Sequence, residues 1–146
     1  MKIQTQQLIP HLTKNIAPLY LVSGDDFVLV QEACDTIRKH AATAGYTERE
    51  VFYIESGFNW ENFLSSATNS SLFGSQVLIE LHLKSKLTDS GSKVLQNYAQ
   101  KPTPDKIILI IIREAKKRTF PQMLNLSYVL VKSPSCLPII LFIFVI

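Results

Sequence analysis

Several residue groups in this 146-residue chain have the types and spacing that site chemistry needs. The first is the turn Ser23-Gly24-Asp25-Asp26, which follows an apolar run and precedes a helical pattern. In an α/β sheet that is where a phosphate-binding loop sits, on a helix N-terminus. Such a loop needs several glycines and a lysine followed by Ser or Thr. Here there is one glycine, and two carboxylates stand where phosphate needs a cation. Asp25 or Asp26 suits a helix cap but repels a nucleotide, so the turn reads as a degenerate, non-binding phosphate loop with no cofactor and no ATP hydrolysis. His11, His40 and His82 share no metal-ligand spacing with each other or with Cys34 and Cys136, so no metal is expected. No nucleophile elbow occurs, and Ser70-Ser71 has no histidine in suitable context, so no catalytic residue is assigned. Glu48 and Glu50 read as solvated surface. Arg113, Lys116, Lys117 and Arg118 form a small basic cluster with two readings, a solvated loop or a contact to nucleic-acid backbone.

The remaining group is apolar. Leu72 and Phe73 stand between Ser70-Ser71 and Gly74-Ser75, in what reads as a tight surface connection. Two readings compete. Either the pair tucks under the turn as a satellite of the core, or it is an exposed wedge for a pocket on another protein.

Composition bounds what these groups can serve. With 47% hydrophobic residues, the chain can form one domain with a real core. A net charge of +3 is compatible with an acidic partner without marking a nucleic-acid binder. Two cysteines, far apart, fit a reducing cytoplasm. The first residues lack the apolar stretch of a secretory signal. After Lys132 no charge appears, and the chain runs out through Leu137-Pro-Ile-Ile-Leu-Phe-Ile-Phe-Val-Ile146. That run is about half of the roughly 20 residues a membrane-spanning helix needs, and Pro138, Pro134 and Lys132 interrupt its extension.

Strands and helices must position the groups above. Leu8, Ile9 and Leu12 predict a short or kinked helical turn around Pro10. Pro18 to Ser23 reads as a buried strand. Phe27, Val30, Ala33, Cys34, Ile37, Ala41 and Ala44 make one helix face, which Gly45 ends; Cys34 is a small core residue on it. Glu50 to Glu55 is a strand, and Asn59 caps a helix from Trp60 to about Asn69. A strand over 76–82 follows, then a helix opened by Asp89 or Ser90 and ended by Pro102 and Pro104. Lys106 to Ile112 has the continuous apolar character of a strand covered on both faces. Alternating strands and helices predict a three-layer α/β fold with a parallel sheet.

The chain resembles the N-terminal domain of the delta subunit of the bacterial DNA polymerase III clamp loader. The matching stretches are Leu8 with Leu12, Ala17-Pro-Leu-Tyr-Leu-Val-Ser-Gly-Asp-Asp26, Gln31-Glu32, Asn59-Trp60, Ser71-Leu72-Phe73-Gly-Ser75 and Ile107 to Ile112. The resemblance implies a fold like AAA+ (RecA-like) ATPases with no hydrolysis of its own, in an accessory subunit of a DNA-directed DNA polymerase, a nucleotidyltransferase holoenzyme. It implies binding to the sliding clamp (the beta subunit) and help in holding its ring open. Carried onto this sequence, the contact falls on Ser71, Leu72 and Phe73, which favours the wedge reading. Other clamp-loader subunits and DNA are partners of a full-length member; a membrane is not expected.

The resemblance covers roughly residues 3 to 113 and stops after Arg118. The expected organisation is therefore a delta-type clamp-binding domain over 1–118 and a non-matching apolar tail over 119–146. That tail reads like the product of a shifted reading frame and is expected to add little to the core. Family lid and collar domains have no counterpart here, so assembly with the other loader subunits is not expected. Two alternatives stand beside this one: a stand-alone nucleotide-binding α/β protein, and an α/β head anchored to a membrane by its C-terminus.

Overall fold

The computed structural model describes residues 5–24, 26–69, 74–84, 87–112, 131–132 and 140–145. In chain order these form α1 (Thr5–Lys14), β1 (Leu19–Gly24), α2 (Phe27–Thr43), β2 (Glu48–Ile54), α3 (Trp60–Thr68), β3 (Val77–Leu83), α4 (Asp89–Gln100), β4 (Lys106–Ile112), β5 (Val131–Lys132) and β6 (Ile140–Val145). Local chemistry sets most of the boundaries. Asp26 caps α2, its carboxylate accepting from the Val28 and Leu29 N–H groups at 2.8 and 3.2 Å. Asn59 does the same for α3 through Glu61 and Asn62, and Thr88 for α4 through Gly91. The cap of α4 thus sits one residue before the predicted opening. Gly45, at φ +105°, ends α2 as expected. Pro10 lies inside the ten-residue α1, which buries Leu8 and Leu12 and leaves Ile9 exposed. The i, i+4 row faces the core, and Ile9 lies a third of a turn away from it.

The strands run β2-β3-β4-β1-β6-β5 across one sheet. The first four are parallel, as the alternation of helices and strands predicts. β4 sits inside the sheet, and its side chains split by parity. Ile107, Leu109 and Ile111 pack with α1 and α2 around Leu8, Leu12, Val30, Cys34 and Ile37. Ile108, Ile110 and Ile112 pack with α3 and α4 around Trp60, Phe63, Leu95 and Tyr98. Burial on both faces is what an uninterrupted isoleucine run serves.

One part departs from the expectation. The apolar tail, expected to add little, supplies β6, which pairs antiparallel with β1 from Tyr20↔Val145 to Gly24↔Leu141. β5 then pairs antiparallel with β6. The sheet is therefore mixed rather than wholly parallel. The second edge of β1 would otherwise show unpaired backbone, and the Ile140–Val145 run has the β-branched and aromatic residues that fit there. Among the described residues no helix is long and apolar enough to cross a membrane.

Candidate functional site

The two ends of the parallel sheet hold different groups. At the carboxyl end, β1 leads through buried Gly24 to the cap of α2; Asp25 lies outside the described residues. The Asp26 carboxylate already accepts from the Val28 and Leu29 N–H groups, the kind of first-turn donor that a bound phosphate would use. Phe27 and Val28 beside it are each 59% exposed, so this surface is apolar and acidic rather than cationic. Chemically the turn fits a helix cap and opposes an anion.

At the amino end lies the connection from α3 to β3. Ser71, Leu72 and Phe73 fall in it and are outside the described residues, but both its ends are fixed. The last carbonyls of α3 have no intrahelical donors, and side chains from the approach to β4 supply them. Thr103 Oγ1 donates to the Ala67 carbonyl at 3.0 Å, and Lys106 Nζ donates to the Ser66 carbonyl. Asn69 caps the helix by donating its N–H to Ser65 O at 3.0 Å. The chain re-enters at Gly74, whose φ of +71° favours glycine, and reaches β3 where Val77 N–H meets the Asp105 carbonyl at 2.9 Å. Thr68, Asn69 and Gly74 are all exposed. The connection thus leaves and returns at the molecular surface. Arg113, Lys116, Lys117 and Arg118 also lie outside the described residues; they follow Ile112, the carboxyl end of β4 and the opposite end of the sheet.

Sequence reasoning missed a charged cluster on the same sheet. Glu80, in the middle of β3, is fully buried. Arg38 of α2 holds it with Nε and Nη2 at 2.7 and 2.9 Å, and Arg49 of β2 with Nε and Nη2 at the same distances. His82 Nε2 lies 3.2 Å away, and Asp35 takes the remaining Arg38 nitrogen at 2.6 Å. Burial alone would push the Glu80 carboxyl up. The two guanidinium groups override it and bring the carboxyl down to about 2, while Glu80 in turn raises the Arg38 guanidinium. The only sequence signal was a charge at a core position of an apolar strand.

The structure does not gather the histidines. His11 is on α1, His40 bonds the Thr36 carbonyl within α2, and His82 stands beside Glu80. Among the described residues no group of three His, Cys, Asp or Glu side chains could hold a metal ion. Cys34 is buried in the core under α2, as predicted. Glu48 and Glu50 are exposed, Glu50 accepting from Ser66 Oγ at 2.6 Å.

The comparisons agree with this fold. The family model "DNA polymerase III, delta subunit" matches residues 20–135, running past Arg118, where the resemblance had been expected to end. The DNA polymerase III subunit delta of Haemophilus influenzae is 30% identical over 115 residues, covering 79% of this chain and 33% of that protein. That of Escherichia coli is 31% identical over 83 residues, covering 57% of this chain and 24% of its own length. The chain therefore spans a third or less of the length of these relatives. The Bacillus subtilis DNA clamp loader delta protein shares the fold, with a TM-score of 0.58 at 17% identity, over 82% of this chain and 38% of that one. With the parallel unit β2-β3-β4-β1 and a family match over most of its residues, the chain belongs to the DNA polymerase III delta subunit family.

Proposed function

We propose that this chain is a clamp-binding module of the replication machinery. It docks on the DNA polymerase sliding clamp through Leu72 and Phe73, with Ser71 as an adjoining contact, and favours opening of the clamp ring. The observation that carries the reading is the anchoring of the α3–β3 connection. Thr103 and Lys106 pin the end of α3, β3 pins the return, and the flanking Thr68, Asn69 and Gly74 are exposed. A rigid scaffold that presents a short surface connection is the arrangement an apolar anchor needs. The module has an AAA+-like sheet but no catalytic activity of its own, because the Asp26 carboxylate occupies donors a nucleotide phosphate would use. Its partner is the clamp, and it acts in the cytoplasm with DNA reached through the complex.

Leu72→Ala combined with Phe73→Ala tests this. Truncating one hot-spot side chain costs at least about 2 kcal/mol, roughly 30-fold in affinity, so the double variant should lose measurable clamp binding. Its thermal transition should stay close to that of the parent, a loss under about 1 kcal/mol. A buried pair would instead leave a cavity worth several kcal/mol of stability. Calorimetry and a clamp titration on the same protein decide. A destabilised variant, or a stable one that still binds, overturns the assignment.

A further inference from the structure

The residues that lead into β4 hold both ends of the α3–β3 connection. Thr103 Oγ1 and Lys106 Nζ donate to the Ala67 and Ser66 carbonyls, where the chain leaves α3. Asp105 O accepts from Val77 N–H at 2.9 Å where the chain returns, and Val77 pairs with Lys106 across the sheet. Exit and return are thus tied to one strip, residues 103–106. That strip is stiff. Pro102 and Pro104 fix their own φ and restrict the residues before them, Lys101 and Thr103. Lys106 N–H donates to Thr103 O at 3.1 Å. The Tyr46 hydroxyl, just past α2, donates to Pro104 O at 3.0 Å, and the Tyr98 hydroxyl of α4 donates to Lys106 O at 3.2 Å. Lys106 opens an otherwise apolar strand and is only 6% exposed. Its ammonium meets the negative end of the α3 dipole, so α3 rather than β4 accounts for the charge.

We infer that Thr103 and Lys106 are positioning residues for the clamp contact, acting on affinity through Leu72 and Phe73 without touching the clamp themselves. The inference rests on the clamp reading proposed above and adds to it the residues that set the direction of the connection. Two side chains on two successive carbonyls fix the last turn of α3 in rotation as well as in place. One bond alone would leave that turn free to pivot. The return is fixed by the backbone of the same strip, so exit and return keep one spacing whenever the strip keeps its shape. A connection held in this way loses little conformational freedom when its side chains are captured by a pocket, and that is the physical source of the affinity gain. Glu50 of β2 adds a third tie, its carboxylate accepting from Ser66 Oγ at 2.6 Å, but it is exposed and its bond competes with water. Thr103 is half-buried and Lys106 buried, so their bonds are the durable ones.

Titration of the full chain with the sliding clamp tests this, on a double-mutant cycle. Thr103→Val keeps the shape of the side chain and removes the donor; Thr103→Ser keeps the donor. Thr103→Val should weaken clamp binding about fivefold or more, the worth of one hydrogen bond, and Thr103→Ser should restore it to within about twofold of the parent. In a Leu72→Ala background Thr103→Val should cost less than about twofold, because the side chain it positions is already gone. A general loss of folded protein would instead lower affinity by the same factor in both backgrounds. Lys106→Met, which keeps the buried stem and removes the ammonium, should repeat the pattern of Thr103→Val. Should it fail to fold, the half-buried Thr103 carries the test. Parent-like binding by Thr103→Val, with Leu72→Ala weakened, overturns the inference and leaves the clamp reading standing. Equal losses in the two backgrounds, or a Thr103→Ser variant as weak as Thr103→Val, also overturn it. If Leu72→Ala and Phe73→Ala both bind as the parent does, the clamp reading fails and this inference fails with it.

Discussion

Glu80 shows how much one residue can hold together. It lies in an apolar strand, and its partners come from 42 residues back on α2 and 31 residues back on β2. Removing one member of such a buried set leaves the others unneutralised, so Glu80→Gln should cost about 3–5 kcal/mol at neutral pH, read by thermal or urea unfolding. Arg38→Ala should cost more than Arg49→Ala, since Arg38 is 19% and Arg49 51% exposed. The same cluster sets an acid dependence. The Glu80 carboxyl is brought from 4.5 down to about 2 in the folded chain. Because the folded value lies below the unfolded one, its contribution is complete above about pH 4.5 and is lost as pH falls towards 2. Unfolding free energy should decline by up to about 3 kcal/mol across that window, and Glu80→Gln should flatten this part of the profile. An unchanged slope in the variant would remove Glu80 as the cause.

Helix α4 meets α3 through a missing side chain. A Cβ at Gly91 would lie 2.2 Å from Trp60 Cζ2, 2.5 Å from Cε2 and 2.8 Å from Leu87 Cδ1. Trp60 is itself wedged between Phe58 and Phe63, at ring separations of 5.0 and 5.8 Å, and has little room to shift. Alanine normally improves a helix by about 1 kcal/mol over glycine. Here the collision should dominate, and Gly91→Ala is expected to lower stability by about 1–3 kcal/mol in calorimetry. Gly74 gives the opposite case. A Cβ there meets nothing within 4 Å, but its φ of +71° strains any other residue, so Gly74→Ala should cost only about 1 kcal/mol. That ordering separates packing between elements from strain in a turn. It also bears on the proposed clamp contact, because Gly74 follows the connection in which Leu72 and Phe73 fall.

At the scale of the whole molecule, the tail has become part of the sheet. β1 pairs with β4 on one side and β6 on the other. Cutting the chain after Lys132 removes β6 and leaves Tyr20 to Gly24 as an open, apolar edge. The truncated protein should unfold at a lower temperature and associate more readily, as exposed unpaired edges do. Equal thermal transitions for the two lengths would show that β6 adds no net stability. The same comparison, with a clamp titration added, separates the tail from the amino end of the sheet, where binding is proposed.

The sequence by itself determined the α/β order, a cap at Asp25 or Asp26 and another at Asn59, the double-faced burial of Lys106–Ile112 and the family. The first three depend on neighbours a few residues apart, a side chain reaching back to its own helix or a period of apolar residues, and the family on the resemblance of stretches spread along most of the chain. Strand ends were legible only approximately, because β2 and β3 extend as far as their pairing does and pairing is not local. The pairing of β6 with β1, the Glu80 cluster and the position of β2 at the end of the described sheet were decided by tertiary structure alone. Each depends on segments distant in the chain being brought side by side, where an unpaired backbone edge attracts an apolar strand and a buried charge requires opposite charges at hydrogen-bond range.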